Sequence, residues 1–409
     1  MRKFIVIVLD GFGVGAMDDT ARLRPQDTSA NTAKSILQVY PDTLWKNLQK
    51  LGLMNVLGFE TAAMKFSPLA IYTKCNLMHQ GADTFLGHQE IMGTRPKIPK
   101  DQCFQDVKDD VRGALLADGF NVRSITVEGL TYFVVNECVT VADNIDSDPG
   151  QAINCIGALD TISFEELLHI GSIVRDHVTC NRVIAFGGTG VSIDQILKAQ
   201  EIKEHRYIGN VAVETGVYEQ GYEVRHLGYG VEEKVQVPYL LGQAGIDVTL
   251  IGKVADVCHN AFGKSISIVD TASVMDAIIR ELRTMETGLI CANVQESDLA
   301  GHSMNTEWYH KVLSIVDYKL ETILNEMQDD DILLICADHG NDPEIGHNHH
   351  TREQVPLLLY GNCMVPCHLD ERDTLSDIGA SICSFFQIEA CENGKSLEVE
   401  EILHPTHLV

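Results

Sequence analysis

Short, unbroken apolar runs rich in β-branched residues alternate along the chain with longer stretches whose apolar positions recur at helical spacing. Phe4–Leu9 is one such run, ending at Asp10-Gly11, and the shape recurs at Val248–Ile251, Gly288–Val294, Ile332–Ala337 and Val355–Tyr360. A strand that is apolar at every position is buried on both faces, the habit of parallel strands. Between these runs, Thr43–Leu51, Ala272–Met285 and Trp308–Met327 carry the helical pattern. Strands alternating with helices predict an α/β fold, a mostly parallel sheet with helices on both faces. Between residues 96 and 225 the pattern changes. Strand-like pieces at Val122–Val127, Tyr132–Val135 and Arg182–Ala185 mix there with one strong helix, Phe164–Asp176. The expectation is a core domain made of residues 1–95 and 226–409, with an α+β cap, residues 96–225, inserted into it.

Charge narrows the possible partners. Against 31 Lys and Arg stand 58 Asp and Glu in 409 residues, a formal net charge of −27. So acidic a surface repels phosphate backbones and anionic membranes, which argues against nucleic acid or a membrane as the main partner. The 12 cysteines are scattered, and Cys291 and Cys336 lie inside apolar runs. Cys363 and Cys367 have no second pair at zinc-site spacing, so the thiols read as reduced and structural. That favours a reducing compartment. The apolar run before Asp10 is too short for a signal peptide and no stretch is long enough to span a bilayer, so the expected location is the cytoplasm.

Candidate chemistry collects where strands end. In parallel sheets, ligands gather at the carboxyl ends of the strands. Asp10 and Asp338-His339 each end an apolar run, and the run closing at Val294 leads to Asp298. Beyond Asp338-His339-Gly340-Asn341-Asp342-Pro343 comes a histidine-rich stretch, His347 to Arg352. Carboxylate and imidazole together suit Mn²⁺ or Zn²⁺ better than Ca²⁺ or Mg²⁺. Asp298 and His302 stand four apart, facing one cavity if the segment turns. A helix cap would explain that Asp but not Gly301-His302. Alone, Asp10 would be only a turn former. Thr84 lies in a glycine-flanked segment, Gly81 to Glu90, where a metal could activate its hydroxyl as a nucleophile. A capping box on Thr84 would need Glu or Gln three residues on, but the nearest polar residues, His88 and Gln89, come four and five on.

Taken together, Asp10, the DT…GH…E.MG loop around Thr84, the D..GH of Asp298 and His302, and the DHGNDP…HTRE…P of 338–356 resemble the phosphopentomutase family. That family stands among the alkaline-phosphatase-like metalloenzymes, alongside cofactor-independent phosphoglycerate mutase. The resemblance implies an alkaline-phosphatase-like α/β core, an inserted cap, and two divalent cations, usually Mn²⁺, with Zn²⁺ the other candidate. One metal would be held by Asp10, Asp338 and His339, with Thr84 beside it as the phosphoryl carrier. The other would be held by Asp298, His302 and His350, while His347 and His349 stay outside. Two cations a few ångströms apart can bridge a phosphoryl group.

The cap departs from that pattern. Phe186 stands where the family has an Arg that grips the sugar phosphate, and neither the charge nor the bidentate geometry survives. Arg225 matches a second family Arg, Lys203 and Arg206 remain nearby, and Asp143 and Asp148 are two candidates for the Asp that contacts the sugar. Leu86 replaces a second Thr, and the D..GH motif is one residue shorter than in the family. Phe186 and its following glycines are expected to open space. The resemblance therefore implies a divergent paralogue with its metal set intact and its substrate site changed. Its expected activity is a phosphomutase acting on a small phosphorylated sugar or polyol. A metal-dependent phosphatase or phosphodiesterase is the alternative. A non-catalytic metal-binding paralogue is disfavoured because no ligand has been lost.

Overall fold

Seven consecutive buried residues, Lys3–Leu9, form a middle strand of an eight-stranded sheet in a computed structural model that describes residues 2–146 and 149–397. Across the sheet the order is Lys264–Ile266, Asp247–Ile251, Gly288–Val294, Lys3–Leu9, Ile332–Cys336, Val355–Tyr360, Ile71–Cys75 and Cys367–His368. The first five run parallel, so their carboxyl ends share one edge. Val355–Tyr360 runs antiparallel to both neighbours, contrary to the parallel reading of that segment. An unbroken apolar run reports burial on both faces and carries no information about direction.

Helices cover this sheet. Thr271–Thr284 and Thr306–Glu326 pack together, each with an apolar stripe of buried residues. Ser376–Phe386 brings Phe385 edge-on to Phe4, ring centroids 5.4 Å apart. The expected helix Thr43–Leu51 is shorter, Lys46–Leu51. Asp317 holds its start by accepting hydrogen bonds from the Asn47 and Leu48 amides.

Two compact units divide the chain, Met1–Pro96 with Glu232–Val409, and Lys97–Val231. The smaller has a six-stranded sheet in the order Glu223–Gly228, Arg182–Gly188, Ala152–Ala158, Val139–Asp143, Leu130–Val135, Val122–Val127. A boundary after Arg225 would cut the first of these strands. All neighbours are antiparallel except Ala152–Ala158 with Arg182–Gly188. One face packs on helices Phe104–Ala117 and Phe164–Asp176. Ile156, Phe186 and Ile196 belong to a second apolar cluster on the other face. No helix among the described residues is long and apolar enough to cross a membrane.

Candidate metal centre

Parallel strands end together, so the polar residues that follow them converge. Asp10 follows Lys3–Leu9, Asp338 and His339 follow Ile332–Cys336 with Ala337 between, and Asp298 sits in the helix Glu296–His302 just past Gly288–Val294. Ser297 secures that last connection by donating to the carbonyl oxygens of Asp10 and Val294, both at 2.7 Å. Close packing completes the convergence. A Cβ on Gly301 would meet Asn341 Cγ at 2.4 Å, and one on Gly11 would meet Asn341 Cβ at 2.9 Å. Asn341 in turn donates to Asp298 Oδ1 at 2.8 Å, holding that carboxylate in place.

The expected ligands form two groups that share His339. Ligand atoms of Asp10, Asp338 and His339 lie within 4.8 Å of one another, as do those of Asp298, His339 and His350. His302 adds its Nε2 to the second group, 3.5 Å from Asp298 and 2.9 Å from His350 Nε2. Asp10, Asp338 and His339 are fully buried. Three of the imidazoles share one arrangement, with Nδ1 donating to a backbone carbonyl: His302 to Asn348, His339 to Gly340, His350 to Ala82. In the neutral ring each Nε2 is then a bare acceptor turned inward, the tautomer a metal-binding histidine needs, whereas a protonated ring offers its Nε2–H to Asp298 or Asp338. With both rings neutral, the lone pairs of His302 and His350 face each other beside a carboxylate, an arrangement that asks for a cation between them. His339 Nε2 and Asp10 Oδ1 have no hydrogen-bond partner, and Asp10 Oδ2 has only an ion pair. These buried, unsatisfied atoms fit a divalent ion, as does a donor set of nitrogen and oxygen without thiolate.

Lys253 supplies that ion pair, and the sequence reading passed over it. Its Nζ lies 2.7 Å from Asp10 Oδ2, 3.2 Å from Asp298 Oδ2 and 3.2 Å from Thr84 Oγ1. It follows Gly252 at the end of the strand Asp247–Ile251, so the strand-end logic that selects Asp10 also reaches Lys253. A lysine ammonium carries no free lone pair for a metal, so a pattern of ligand residues does not include it.

Charge in the cluster is out of balance. Three carboxylates, Asp10, Asp298 and Asp338, face Lys253 and His339. Burial and the nearby Asp338 charge push the Asp10 carboxyl up to about 7, against the pull of Lys253. Burial also works against Asp298, but hydrogen bonds from His302 and His350 outweigh it and hold that group well down. Burial would lower His339, yet Asp338 beside it raises the imidazole to about 10. Lys253 is likewise held above its ordinary value by Asp10, Asp298 and Asp338 despite burial. The site lacks positive charge, and one of its carboxyls compensates by keeping a proton.

Thr84 is the first residue of the helix Thr84–Ile91 and is not in a loop. The capping reading failed on Thr84 because the cap is one residue earlier, where Asp83 accepts from the Leu86 amide at 2.9 Å. The Thr84 hydroxyl donates to Asp338 Oδ2 at 2.6 Å. His347 turns away from the cluster to Asp27 Oδ1 at 3.0 Å, tying the histidine loop to the core.

The inserted unit disposes of its candidates differently. Asp143 is 1% exposed, and its two oxygens accept from the Phe104 and Ile208 amides at 2.7 and 3.0 Å. That carboxylate ties backbone together within the inserted unit, both of its oxygens occupied by amides. Asp148 lies outside the described residues. Arg225 pairs with Ala185 in the sheet and Val224 with Phe186, which puts Arg225 and Phe186 on opposite faces. They cannot close on one phosphate. Nor does Phe186 open space: it is 3% exposed, with Tyr218 stacked on it at 6.2 Å and Tyr222 edge-on at 6.4 Å. A Cβ on Gly188 would lie 2.1 Å from the Val217 carbonyl oxygen, so the glycine admits that loop rather than a ligand.

The family model described as the Metalloenzyme superfamily matches residues 2–390. A phosphopentomutase of Clostridioides difficile strain 630 is 28% identical over 413 residues, covering 97% of this chain and 99% of its own. Among solved structures, PH0037 from Pyrococcus horikoshii aligns over 94% of this chain and 97% of its own, with TM-score 0.44 and 14% identity. The phosphoglycerate mutase of Leishmania mexicana aligns over 97% of each chain, with TM-score 0.42 and 12% identity.

Proposed function

We propose, from the premise that this chain belongs to the Metalloenzyme superfamily, that it is a two-metal phosphomutase acting through Thr84. It would move a phosphoryl group within a small phosphorylated sugar or polyol. The observation that carries this reading is the Thr84 hydroxyl, 2.6 Å from Asp338 Oδ2 and 3.2 Å from Lys253 Nζ at the mouth of an unsatisfied ligand cluster. A hydroxyl so placed has an acceptor for its proton and a cation beside the oxygen that must become nucleophilic. The name of the Clostridioides difficile relative, similar along nearly all of its length, supports the same reaction class.

Asp10, Asp338 and His339 would hold one cation and Asp298, His302 and His350 the other, and Mn²⁺ suits this mix of nitrogen and oxygen donors. Bound there, the two ions would supply positive charge for a phosphoryl group in transfer. The protein's own groups do the rest. Asp338 takes the hydrogen bond of the Thr84 hydroxyl, and Lys253 lends charge to its oxygen. A phosphoryl group carried on Thr84 would pass to a free hydroxyl of the bound sugar phosphate, whose proton ends on the Thr84 oxygen. The bisphosphate would then return its other phosphoryl group to Thr84, the proton ending on the freed substrate oxygen. The reading is tested by intact-mass measurement of Mn²⁺-loaded protein incubated with a panel of sugar and polyol phosphates. One phosphoryl group should appear on the wild type and be absent from Thr84→Val. A Thr84→Val protein that still interconverts the substrate would end the covalent mechanism. Release of inorganic phosphate without any isomer would move the reading to a phosphatase.

A further inference from the structure

His88 and Asn293 belong to neither ligand set, yet both are fully buried beside Thr84. His88 lies one turn along the helix from Thr84. Its Nδ1 is 2.8 Å from the Thr84 carbonyl oxygen and 3.3 Å from Asp338 Oδ2. A carbonyl and a carboxylate only accept, so Nδ1 carries a proton and donates. At the other edge of the ring, Nε2 is 3.0 Å from Asn293 Nδ2, an amide nitrogen to which it is the acceptor. Asn293 is rooted in the strand Gly288–Val294, between Lys3–Leu9 and Asp247–Ile251. Its carbonyl oxygen also lies against the turn before Lys253, where a Cβ on Gly252 would sit 2.5 Å away.

The ring therefore spans from the sheet to the turn that carries Thr84. That turn gains from a second anchor, because the first turn of a helix frays readily and Asp83 holds this one through the Leu86 amide. The fit beneath it is also tight: a Cβ on Gly87 would approach the Asp338 carbonyl oxygen to 2.7 Å.

We propose that His88 is a positioning residue for phosphoryl transfer. With its ring set by Asn293, it fixes the Thr84 turn over Asp338 and so aims the hydroxyl. This rests on Thr84 as the phosphoryl carrier. Aim matters because a nucleophile displaced by about 1 Å loses on the order of 100-fold in rate.

The ring state can be read without turnover. Nitrogen-15 NMR of histidine-labelled full-length protein loaded with Zn²⁺, with the His88 signal identified by its loss in His88→Gln, should show Nδ1 protonated and Nε2 bare. Asn293→Asp, which offers Nε2 only an acceptor, should move a proton onto Nε2. Intact mass with p-nitrophenyl phosphate as donor then follows phosphorylation of Thr84. His88→Gln and Asn293→Asp should slow it by about 10- to 100-fold at unchanged metal content and unchanged KM for the donor. His88→Asn, which returns an amide N–H near the Nδ1 position, should recover part of the loss. A bare Nδ1 in the wild type, or equal rates in all these proteins, overturns the positioning role alone. A wild type with the expected ring state that never phosphorylates Thr84 overturns the carrier reading and this role with it.

Discussion

Lys253 is the residue whose replacement separates electrostatics from metal binding. Its ammonium touches two carboxylates and the Thr84 hydroxyl, at 13% side-chain exposure. Lys253→Met keeps the stem and removes the charge. Breaking one side of a buried ion pair costs about 3–5 kcal/mol. The metal-free variant should therefore unfold at clearly lower temperature, while Mn²⁺ loading recovers much of the loss by supplying the missing charge. Phosphorylation of Thr84 should fall by about 100-fold or more even in the loaded form. Thermal unfolding with and without Mn²⁺, beside the intact-mass assay, checks both parts, and a loaded variant of wild-type rate would show that the ammonium does not act on the hydroxyl. Asp10, Asp298, Asp338 and His339 stood out in the sequence because each follows an apolar run, His302 through its spacing from Asp298, and His350 through the histidine-rich stretch and the family resemblance. Lys253 did not, since only its place after a strand marks it out among the 31 Lys and Arg residues of the chain. Asp143 misled for the opposite reason. An acidic residue that binds backbone amides looks, in a sequence, like one that binds a ligand.

At the scale of elements, glycines decide how closely the Thr84 helix and the strand ends approach. Gly87→Ala places a methyl group 2.7 Å from the Asp338 carbonyl oxygen, and backbone on the far side cannot rotate away. A shift of the helix follows, costing about 1–3 kcal/mol and lengthening the contact from Thr84 to Asp338. Gly113 is the control. It lies exposed within the helix Phe104–Ala117, and a Cβ there meets nothing within 4 Å. Gly113→Ala should stabilise the protein by up to about 1 kcal/mol through helix propensity alone. Chemical denaturation of the two variants should thus give shifts of opposite sign, and only Gly87→Ala should slow phosphorylation of Thr84. Strands that are apolar throughout were legible, from Lys3–Leu9 to Ile332–Cys336. Ile71–Cys75 was not, because its alternating residues, with Thr73 and Lys74 among them, resemble a loop as much as a strand. The direction of Val355–Tyr360 was hidden because it is set by its hydrogen-bonded partners, which lie far away in sequence.

For the whole molecule, the charge imbalance makes stability depend on pH and on metal together. Asp10 titrates near 7 in the folded protein against an ordinary value of 3.8, and His339 near 10 against 6.5. A raised carboxyl and a raised imidazole act in the same direction. The folded form binds more protons than the unfolded chain, so metal-free stability is highest at low pH within this range and falls as pH rises. For Asp10 the loss runs from about pH 4 to about 7, and for His339 from about 6.5 to about 10, at up to about 1.4 kcal/mol per pH unit for each group. Metal competes with both protons, so binding should strengthen as pH rises and saturating Mn²⁺ should reverse or flatten the trend. At a concentration of 100 times Kd the ion adds about 2.7 kcal/mol. Melting curves between pH 5 and 9, in chelator and in Mn²⁺, test this. Asp10→Asn should flatten the lower half of the metal-free profile. A metal-free protein that grows more stable across the whole range would refute the assignment.

The strand Lys3–Leu9 is synthesised long before its two neighbours in the sheet, Gly288–Val294 and Ile332–Cys336. At about 5–20 residues per second, the sheet partners of this apolar segment are not synthesised until tens of seconds later. Lys97–Val231, a compact unit of consecutive residues, emerges complete well before then. Biosynthesis therefore runs inside out, with the inserted unit able to fold first while a seven-residue hydrophobic strand waits unpaired. During that interval the nascent chain has every reason to engage a chaperone through this unpaired strand.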